Sequence, residues 1–340
     1  MKPNLRLWLT ALLVLWLVSN CSKLMSTPTP AVPAMFESPI RPPSPGALFA
    51  SPLSTAEVST PPPTLLEGAA GFGLGGRIAF HSERSGNFDI WVMNVDGSGL
   101  QQLTDTPGLD VEPAWSPDGK RIVFVTARDD PLNLSLYLMN ADGTDQRRLI
   151  HLPDGDCIGP AWSPDGKRIA FHSNVDTNFE VYVVDADGNN LTNVTNHPAN
   201  DSRPTWSPDG RRLAFVSDRD GADNIYILDL DSGDVTRLTA GIYFDSSPRW
   251  SPDAKTILFV SDRSGSKGLH VVSVSGGEPE LIGVRAQNDD SPTWAGHGQY
   301  IIFASRRSND WELYIMRADG RDSHQLTLSK GYDRFPAWTP

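Results

Sequence analysis

From residue 77 onwards, short apolar runs alternate with polar turns in a pattern that returns every 44 to 47 residues. Tryptophans at 115, 162, 206, 250, 294 and 338 mark the period, and a proline stands two residues before each. An apolar run begins six residues after each of the first five tryptophans, such as "RIVF" at 121–124, and "RIAF" at 77–80 matches it. A second run, such as "LYLM" at 136–139, and a segment ending near "LT" complete each unit. The pattern predicts four short β-strands per unit, named A (Pro-x-Trp), B, C and D in chain order.

Turn-forming residues separate these strands. Ser-Pro-Asp-Gly follows the first three tryptophans, while the fourth and fifth are followed by "SPDA" and "AGHG". In a type I turn, serine suits the first position, proline presets φ at the second and glycine suits the fourth. Asp-Gly, a strong hairpin signal, joins C to D in most units. Four-stranded antiparallel sheets at this repeat length indicate propeller blades. An open solenoid of the same units is the alternative, but it would leave two unpaired sheet edges.

The stretch "PAWSPDGKRIAF" at 160–171 and its counterparts resemble the WD40-like PD40 repeat of the TolB propeller. The same repeat occurs in the propellers of prolyl-oligopeptidase-type enzymes. The resemblance covers about 77–340 and implies an all-β, six-bladed β-propeller. TolB works in the Tol–Pal envelope system and binds partners through its propeller, so the resemblance also implies partner binding. We expect no counterpart of the α/β domain that precedes the TolB propeller, so membership of a Tol–Pal system does not follow from the repeat alone.

Two charged series run through the repeat. Five residues before each tryptophan stands an aspartate, except in the second unit, and an arginine follows each B strand, except after the "RIAF" at 168–171. The series are Asp110, Cys157, Asp201, Asp245, Asp289, Asp333 and Arg84, Arg128, Val175, Arg219, Arg263, Arg307. Pairing each aspartate with the next arginine of the second series also pairs the two exceptions, Cys157 and Val175. The other pairing, of each arginine with the following aspartate, would leave unpartnered charges, which is costly in a buried site.

Within these two series, Asp333 has no arginine after it and Arg84 has no aspartate before it. We therefore expect them to pair with each other, which requires the C-terminal strand A to join the N-terminal strands B, C and D in one blade. Such closure removes both sheet edges. The charged series has three interpretations: a structural tie within each blade, a charged rim at the mouth of the channel, or a ring of calcium ligands. The matching arginines argue against calcium.

The N-terminal region differs from the repeat. Residues 1–21 carry Lys2 and Arg6, then an apolar run from Leu7 to Val18, then "VSNC" ending at Cys21. This pattern indicates a signal peptide with a lipoprotein cleavage box, in which Cys21 is lipidated. An uncleaved anchor and ordinary secretion are the alternatives. Residues 22–75 are rich in Pro, Ser and Thr and predict a disordered tether before a propeller at 76–340. We expect an exported protein in the periplasm or on the outer cell surface, anchored to a membrane.

The charge balance narrows the class of partner. From residue 76 there are 25 Lys and Arg against 38 Asp and Glu, a net charge of −13. Nucleic acid is therefore excluded as a partner, because phosphate binding depends on cationic side chains. We expect a monomer that binds an envelope protein or peptide. Tyr243, Phe244 and Tyr332 stand just before strand-A aspartates and are candidate partner contacts, although packing against a neighbouring blade would explain them equally well.

The sequence carries no catalytic signature. It has no Gly-x-Ser-x-Gly elbow, no His-Glu-x-x-His and no Cys-x-x-Cys, and its seven histidines are spread over the units. We therefore expect no catalytic residue, cofactor or metal, and a binding protein rather than an enzyme. The alternative is a propeller enzyme acting on polysaccharide or peptide, such as a metal-dependent activity like that of a pectin lyase.

Overall fold

A computed structural model describes residues 72–284 and 287–340. The expected signal peptide, the lipidation site at Cys21 and residues 22–71 of the expected tether lie outside this range. The described residues form 24 strands in six four-stranded antiparallel sheets, together with one 3-10 turn at Gly296–Gly298. The all-β, six-bladed propeller expected from the repeat is confirmed.

Strands A and B form the inner half of each blade. Strand A corresponds to Asp110–Trp115 (β4), Cys157–Trp162 (β8), Asp201–Trp206 (β12), Asp245–Trp250 (β16), Asp289–Ala295 (β20) and Asp333–Thr339 (β24). Strand B corresponds to Arg77–Ser82 (β1), Arg121–Thr126 (β5), Arg168–Ser173 (β9), Arg212–Ser217 (β13), Thr256–Ser261 (β17) and Tyr300–Ser308 (β21).

Strands C and D form the outer half. Strand C corresponds to Asp89–Asn94 (β2), Ser135–Asn140 (β6), Glu180–Asp185 (β10), Asn224–Asp229 (β14), Gly268–Ser273 (β18) and Asp310–Arg317 (β22). Strand D is shorter and corresponds to Gln101–Gln102 (β3), Arg147–Ile150 (β7), Thr192–Asn193 (β11), Val235–Arg237 (β15), Glu280–Ile282 (β19) and His324–Gln325 (β23). Blade 1 contains β1–β3, and blades 2 to 6 follow in chain order.

The last strand completes the first blade. β24 pairs antiparallel with β1, with Asp333 opposite Ser82 and Trp338 opposite Ile78. Each strand A also contacts strand A of the next blade, and β24 contacts both β20 and β4, so the six inner strands form a closed ring. Without β24, blade 1 would have three strands and β1 would be its unpaired inner edge.

The A–B turns show why Ser-Pro-Asp-Gly recurs. In blade 2 the Ser116 Oγ accepts a hydrogen bond from the Arg121 N–H at 2.9 Å and donates to Asp118 Oδ1 at 2.6 Å. The Gly119 N–H donates to the Ser116 carbonyl at 2.9 Å, and Gly119 adopts φ of 65°. Glycine reaches this left-handed region without steric cost, which explains its place at the end of the turn.

The hydrophobic core lies between adjacent blades. The phenylalanine of every strand B is fully buried: Phe80, Phe124, Phe171, Phe215, Phe259 and Phe303. Trp115 packs with Phe124 and with Ile90 of the preceding blade, and its indole N–H donates to the Ala337 carbonyl in β24 at 3.1 Å. The tryptophan that marks each repeat therefore joins its own blade to the preceding one.

Residues 72–75, which composition assigns to the tether, contact the propeller. The Tyr300 hydroxyl donates to the Phe72 carbonyl at 2.9 Å, and the Trp338 indole N–H donates to the Gly75 carbonyl at 3.2 Å. Phe72 and Leu74 also pack against the core between blades 6 and 1. The two apolar side chains explain the difference, because they bury surface that the polar tether could not.

Candidate functional site

The charged series forms one ion pair in each of five blades. The shortest nitrogen–oxygen distances are 2.6 Å for Arg84–Asp333, 3.0 Å for Arg128–Asp110, 2.8 Å for Arg219–Asp201, 2.7 Å for Arg263–Asp245 and 2.8 Å for Arg307–Asp289. In every pair the aspartate opens strand A, and the arginine follows strand B of the same blade or, in the case of Arg307, lies near the end of it. This is the within-blade pairing, and it includes the contact between the two ends of the propeller.

Each arginine is held on several sides. Arg219, for example, donates from Nε to Ser217 Oγ at 2.9 Å, and its guanidinium lies 5.4 Å from the Phe215 ring and 4.8 Å from the Tyr226 ring. The aspartate side chains are at most 3% exposed. Burial of these charges within the blades favours the structural interpretation, since the carboxylates have little exposed surface with which to contact a ligand.

Blade 3 lacks the pair and fills the space with apolar groups. Cys157 is fully buried, and burial raises the pKa of its thiol to about 12, so the thiol is not a nucleophile at neutral pH. Val175 packs closely against Gly155: a Cβ added to this glycine would lie only 2.7 Å from the Cβ of Val175. The neighbouring Asp156 accepts a hydrogen bond from the Leu134 N–H at 2.8 Å.

A second ring was not expected from the sequence. The third residue of every strand A adopts positive φ, between 50° and 65°: Glu112, Gly159, Arg203, Ser247, Ser291 and Phe335. The pairing register with strand B shifts at this point in all six blades, which identifies a β-bulge. Bulges turn a side chain away from the pleat, and left-handed φ is strained for residues other than glycine. We call this set the bulge ring.

Side chains of the bulge ring make contacts across the centre of the propeller. Arg203 of blade 4 crosses to blade 1, where its guanidinium lies 5.7 Å from the centre of the Phe335 ring. Glu112 accepts a hydrogen bond from the Gly159 N–H at 2.9 Å. A cavity of about 210 Å³ adjoins this ring and is lined by the third to sixth residues of several A strands, including Trp115, Trp162 and Trp338.

Two buried histidines support the bulge ring from the neighbouring blades. His81 Nδ1 accepts a hydrogen bond from the Glu112 N–H, and His172 Nδ1 accepts one from the Arg203 N–H, both at 3.3 Å. Burial and then the charge of Arg203 lower the pKa of His172 to about 3. Burial and then the charge of Arg334 hold the pKa of His81 well below its usual range. Both imidazoles are therefore neutral acceptors at neutral pH.

The channel wall carries more arginines than acids, namely Arg203, Arg249 and Arg334 with Glu112 and Asp290, although the domain as a whole is acidic. Burial and then the charge of Arg203 lower the pKa of Arg249 to about 10, which still leaves it protonated at neutral pH. Arg334 forms a 2.7 Å ion pair with Asp290. The cavity beside Arg203 and Arg249 therefore suits an acidic or neutral group better than a cation.

The predicted aromatic contacts lie at the end of the propeller that carries the D–A and B–C connections, here called the loop face. Tyr243 and Tyr332 are 40% and 38% exposed, and Phe244 is partly buried. The Arg263 guanidinium lies 5.2 Å from the Tyr243 ring, and the Lys267 ammonium lies 5.2 Å from the Phe244 ring. These rings are therefore packed on one side and open on the other.

Further apolar residues on the loop face were missed by sequence reasoning. Ile242 is 93% exposed, Val284 58% and Leu328 54%. They lie on the D–A connections that lead into blades 5, 6 and 1, which are consecutive in the ring. With Tyr243 and Tyr332 they form what we call the apolar arc. Ile242 stands next to the predicted Tyr243. Apolar residues that follow strand D in the sequence are therefore the pattern from which the arc could have been predicted.

Two further observations concern the described residues. In 72–284 and 287–340, no three His, Cys, Asp or Glu side chains are grouped so that they could hold a metal ion. The helices of the same residues include none with the length and apolar character needed to cross a membrane.

Comparison with known proteins places the chain among propellers. Among solved structures, TolB from Acinetobacter baumannii matches with a TM-score of 0.70 at 27% identity, covering 78% of this chain and 67% of that chain. Among curated proteins, dipeptidyl-peptidase 5 of Porphyromonas endodontalis is 41% identical over 66 residues, or 19% of this chain and 9% of that protein. The Tol-Pal system protein TolB of Anaeromyxobacter dehalogenans is 49% identical over 41 residues, or 12% of this chain and 9% of that protein.

These alignments with curated relatives span less than a tenth of each relative's length. The family model is matched far more widely, over residues 68–152 and 134–340, which include every strand of the six blades. The chain belongs to the PD40 family, the TolB beta propeller domain.

Proposed function

We propose that this protein is an exported, membrane-tethered β-propeller that binds a protein or peptide partner of the cell envelope on its loop face. The observation that carries the proposal is the apolar arc. Exposed apolar side chains on adjacent loops bury well against a partner, whereas single exposed ones are normal on any protein surface. The arc gathers Ile242, Val284 and Leu328 on three consecutive connections, with Tyr243 and Tyr332 beside them.

The chemistry of the site favours binding over catalysis. The buried thiol of Cys157 has a raised pKa, and the buried histidines of the channel are engaged by backbone N–H groups. The five strand-A aspartates are neutralised by their arginines. The solved TolB of similar fold and the matching Tol-Pal system protein are consistent with an envelope role.

The tether proposal concerns residues 1–71, outside the described range. A lipidated Cys21 followed by about 50 Pro-rich residues would hold the propeller roughly 40 Å from a membrane. We expect Cys21→Ser to move the protein from the membrane pellet to the soluble fraction of lysed cells. An unchanged distribution would reject lipidation as the anchor.

The partner proposal is tested by site-specific photocrosslinking in the native envelope. A photoreactive residue at position 242 should capture a distinct protein, while one at position 100 should not, although Leu100 is also exposed (45%). Leu100 follows the C–D turn of blade 1, at the other end of the propeller, and is therefore a matched control.

The captured protein is then purified and its affinity measured. We expect the double variant Ile242→Ser, Leu328→Ser to bind about tenfold more weakly, with an unchanged melting temperature, and Leu100→Ser to bind like the parent. Equal capture from both positions, or equal affinity of the double variant, would reject the loop face as the docking surface. Turnover of a polysaccharide or peptide by the purified protein would favour the enzymatic alternative.

A further inference from the structure

A repeated arginine–tryptophan stack joins the blades at the end opposite the loop face. The first residue of strand B in blades 1 to 4 is an arginine, and its guanidinium lies over the tryptophan that follows in the next blade. The distances to the ring centre are 4.7 Å for Arg77 and Trp115, 4.7 Å for Arg121 and Trp162, 4.6 Å for Arg168 and Trp206, and 4.8 Å for Arg212 and Trp250. These four tryptophans are 6–8% exposed.

The junction between blades 6 and 1 is covered in another way. Tyr300 stands at the arginine position, and residues 72–75 lie against Tyr300 and Trp338. The chain's own segment therefore takes the place of the guanidinium at this junction.

At the junction between blades 5 and 6, the described residues include neither a stacked arginine nor a segment like 72–75 over the tryptophan. Thr256 stands at the arginine position, and Trp294 is more exposed than the four stacked tryptophans. An open cleft of about 310 Å³ lies here, and both Thr256 and Trp294 line it. The cleft therefore occupies the space that a longer side chain at position 256 would fill.

The cleft also carries negative charge. Glu280 and Asp319 line it. Glu280 lies opposite Val271 in the sheet, and the residues at the same register of the other D strands are Gln101, Arg147, Thr192, Thr236 and His324. An acid therefore occurs at this register only in blade 5, where Thr256 replaces the arginine. Arg321 is 3.9 Å from the Asp319 carboxylate, but with its side chain 83% exposed it neutralises that charge only weakly.

We propose that this cleft binds the guanidinium group of an arginine presented by a partner protein. The planar cation would stack on the Trp294 ring and donate hydrogen bonds to the carboxylates of Glu280 and Asp319. The four stacked junctions of the same propeller are the precedent for this geometry. Lysine fits less well, because its ammonium is compact and more strongly hydrated and cannot stack as a plane. The cleft lies at the opposite end of the blades from the apolar arc, so it is a separate binding surface.

The test uses the full-length protein and the blocked tripeptide acetyl-Gly-Arg-Gly-amide. The readout is the indole N–H resonance of Trp294, assigned with a Trp294→Phe variant. We expect a saturable shift with a dissociation constant on the order of 1 mM. The citrulline peptide, which has nearly the same shape without the charge, should bind at least about fivefold more weakly, and the lysine peptide about threefold more weakly.

Three variants separate the contributions. Thr256→Arg should abolish binding, because the new side chain fills the cleft and stacks on Trp294, while Thr256→Ser should bind like the parent. Glu280→Gln should weaken binding about fivefold without altering the fold. A Thr256→Arg protein that still binds, or equal binding of the arginine and citrulline peptides, would overturn the proposal. Arg41 is the arginine of the Pro-rich segment at 22–75. Binding that appears only after Arg41→Ala would assign the cleft to the chain's own arginine and would overturn its assignment to a partner protein.

Discussion

The guanidinium of Arg84 lies 2.6 Å from the carboxylate of Asp333, although 249 residues separate them in the chain. The pair does in blade 1 what four other pairs do within single repeats. It lies beside the backbone pairing of Ser82 with Asp333, so the charge contact and the strand pairing fix the same register. A slip of one residue would turn the side chains of β24 to the opposite face and separate the charges.

Breaking this pair should destabilise the propeller. We expect Asp333→Cys and Arg84→Val each to lower the free energy of unfolding by about 2–3 kcal/mol, because each leaves a buried or partly buried group without its partner. Urea denaturation followed by tryptophan fluorescence measures the change.

The double variant is the control, because it places in blade 1 the Cys–Val combination that blade 3 carries at Cys157 and Val175. The loss in the double variant should be smaller than the sum of the single losses by about 1 kcal/mol or more. Strict additivity would show that the two residues do not interact in solution.

Closure by β24 can be tested by moving the strand. Deleting residues 333–340 removes the partner of β1 and the Ala337 carbonyl that accepts from the Trp115 indole. We expect this truncated chain to lose its single cooperative unfolding transition.

Placing residues 333–338 and a Ser-Pro-Asp-Gly-Lys turn directly before Arg77 of the truncated chain should restore most of the stability. The graft gives blade 1 the A–B–C–D order of the other blades. Calorimetry measures the transition. If the truncated chain melts like the parent, the strand is not needed to close the ring.

The closure could be read from the sequence because it depends on register. The repeat places each aspartate at a constant distance before its tryptophan, and the paired exceptions at Cys157 and Val175 distinguish the two possible pairings. The unpaired members at the two ends then leave one arrangement, which is the one that the structure contains.

The bulge ring could not be read in the same way. Positive φ is signalled by glycine, asparagine or aspartate, and only Gly159 among the six residues is of these types. Arg203 and Phe335 adopt the strained backbone because all six inner strands bulge at the same register, which is a property of the closed ring. The packing of Phe72 was missed for a related reason, since a single aromatic residue in a polar stretch carries no periodicity.

Stability should fall in mild acid because of the buried histidines. Native His172 has a pKa of about 3, whereas an unfolded histidine titrates near 6.5. Between these values the unfolded chain binds more protons, so the free energy of unfolding falls as the pH falls from about 6.5 towards 3.

His172→Val places at this position the residue that blade 4 carries at Val216. We expect the parent to lose up to about 2 kcal/mol more than the variant between pH 7.5 and pH 5. Urea titrations of both proteins at the two pH values measure the difference, and the comparison cancels packing losses common to both conditions. Equal losses would mean that His172 is not held neutral in the folded state.

The strain of the bulge ring predicts that substitutions at two of its positions change the free energy of unfolding in opposite directions. Ser247 adopts φ of 52°, and no hydrogen bond of its side chain occurs within the described residues. Ser247→Gly should therefore raise the free energy of unfolding by about 0.5 kcal/mol, the balance of relieved strain and the greater flexibility of unfolded glycine. Ser247→Ala should be close to neutral, because alanine keeps the strain.

Gly159 occupies the same strand-A position in blade 3, and here the substitution replaces a glycine instead of introducing one. It adopts φ of 65°, and an added Cβ would lie 2.8 Å from the Cε1 and Nδ1 atoms of His172. Gly159→Ala should therefore lower the free energy of unfolding by about 2 kcal/mol, from left-handed strain together with displacement of a buried imidazole that accepts the Arg203 N–H. Chemical denaturation of the three variants gives the order: glycine at 247 most stable, alanine at 247 like the parent, alanine at 159 least stable. A stabilising alanine at 159 would mean that the inner strand does not bulge there.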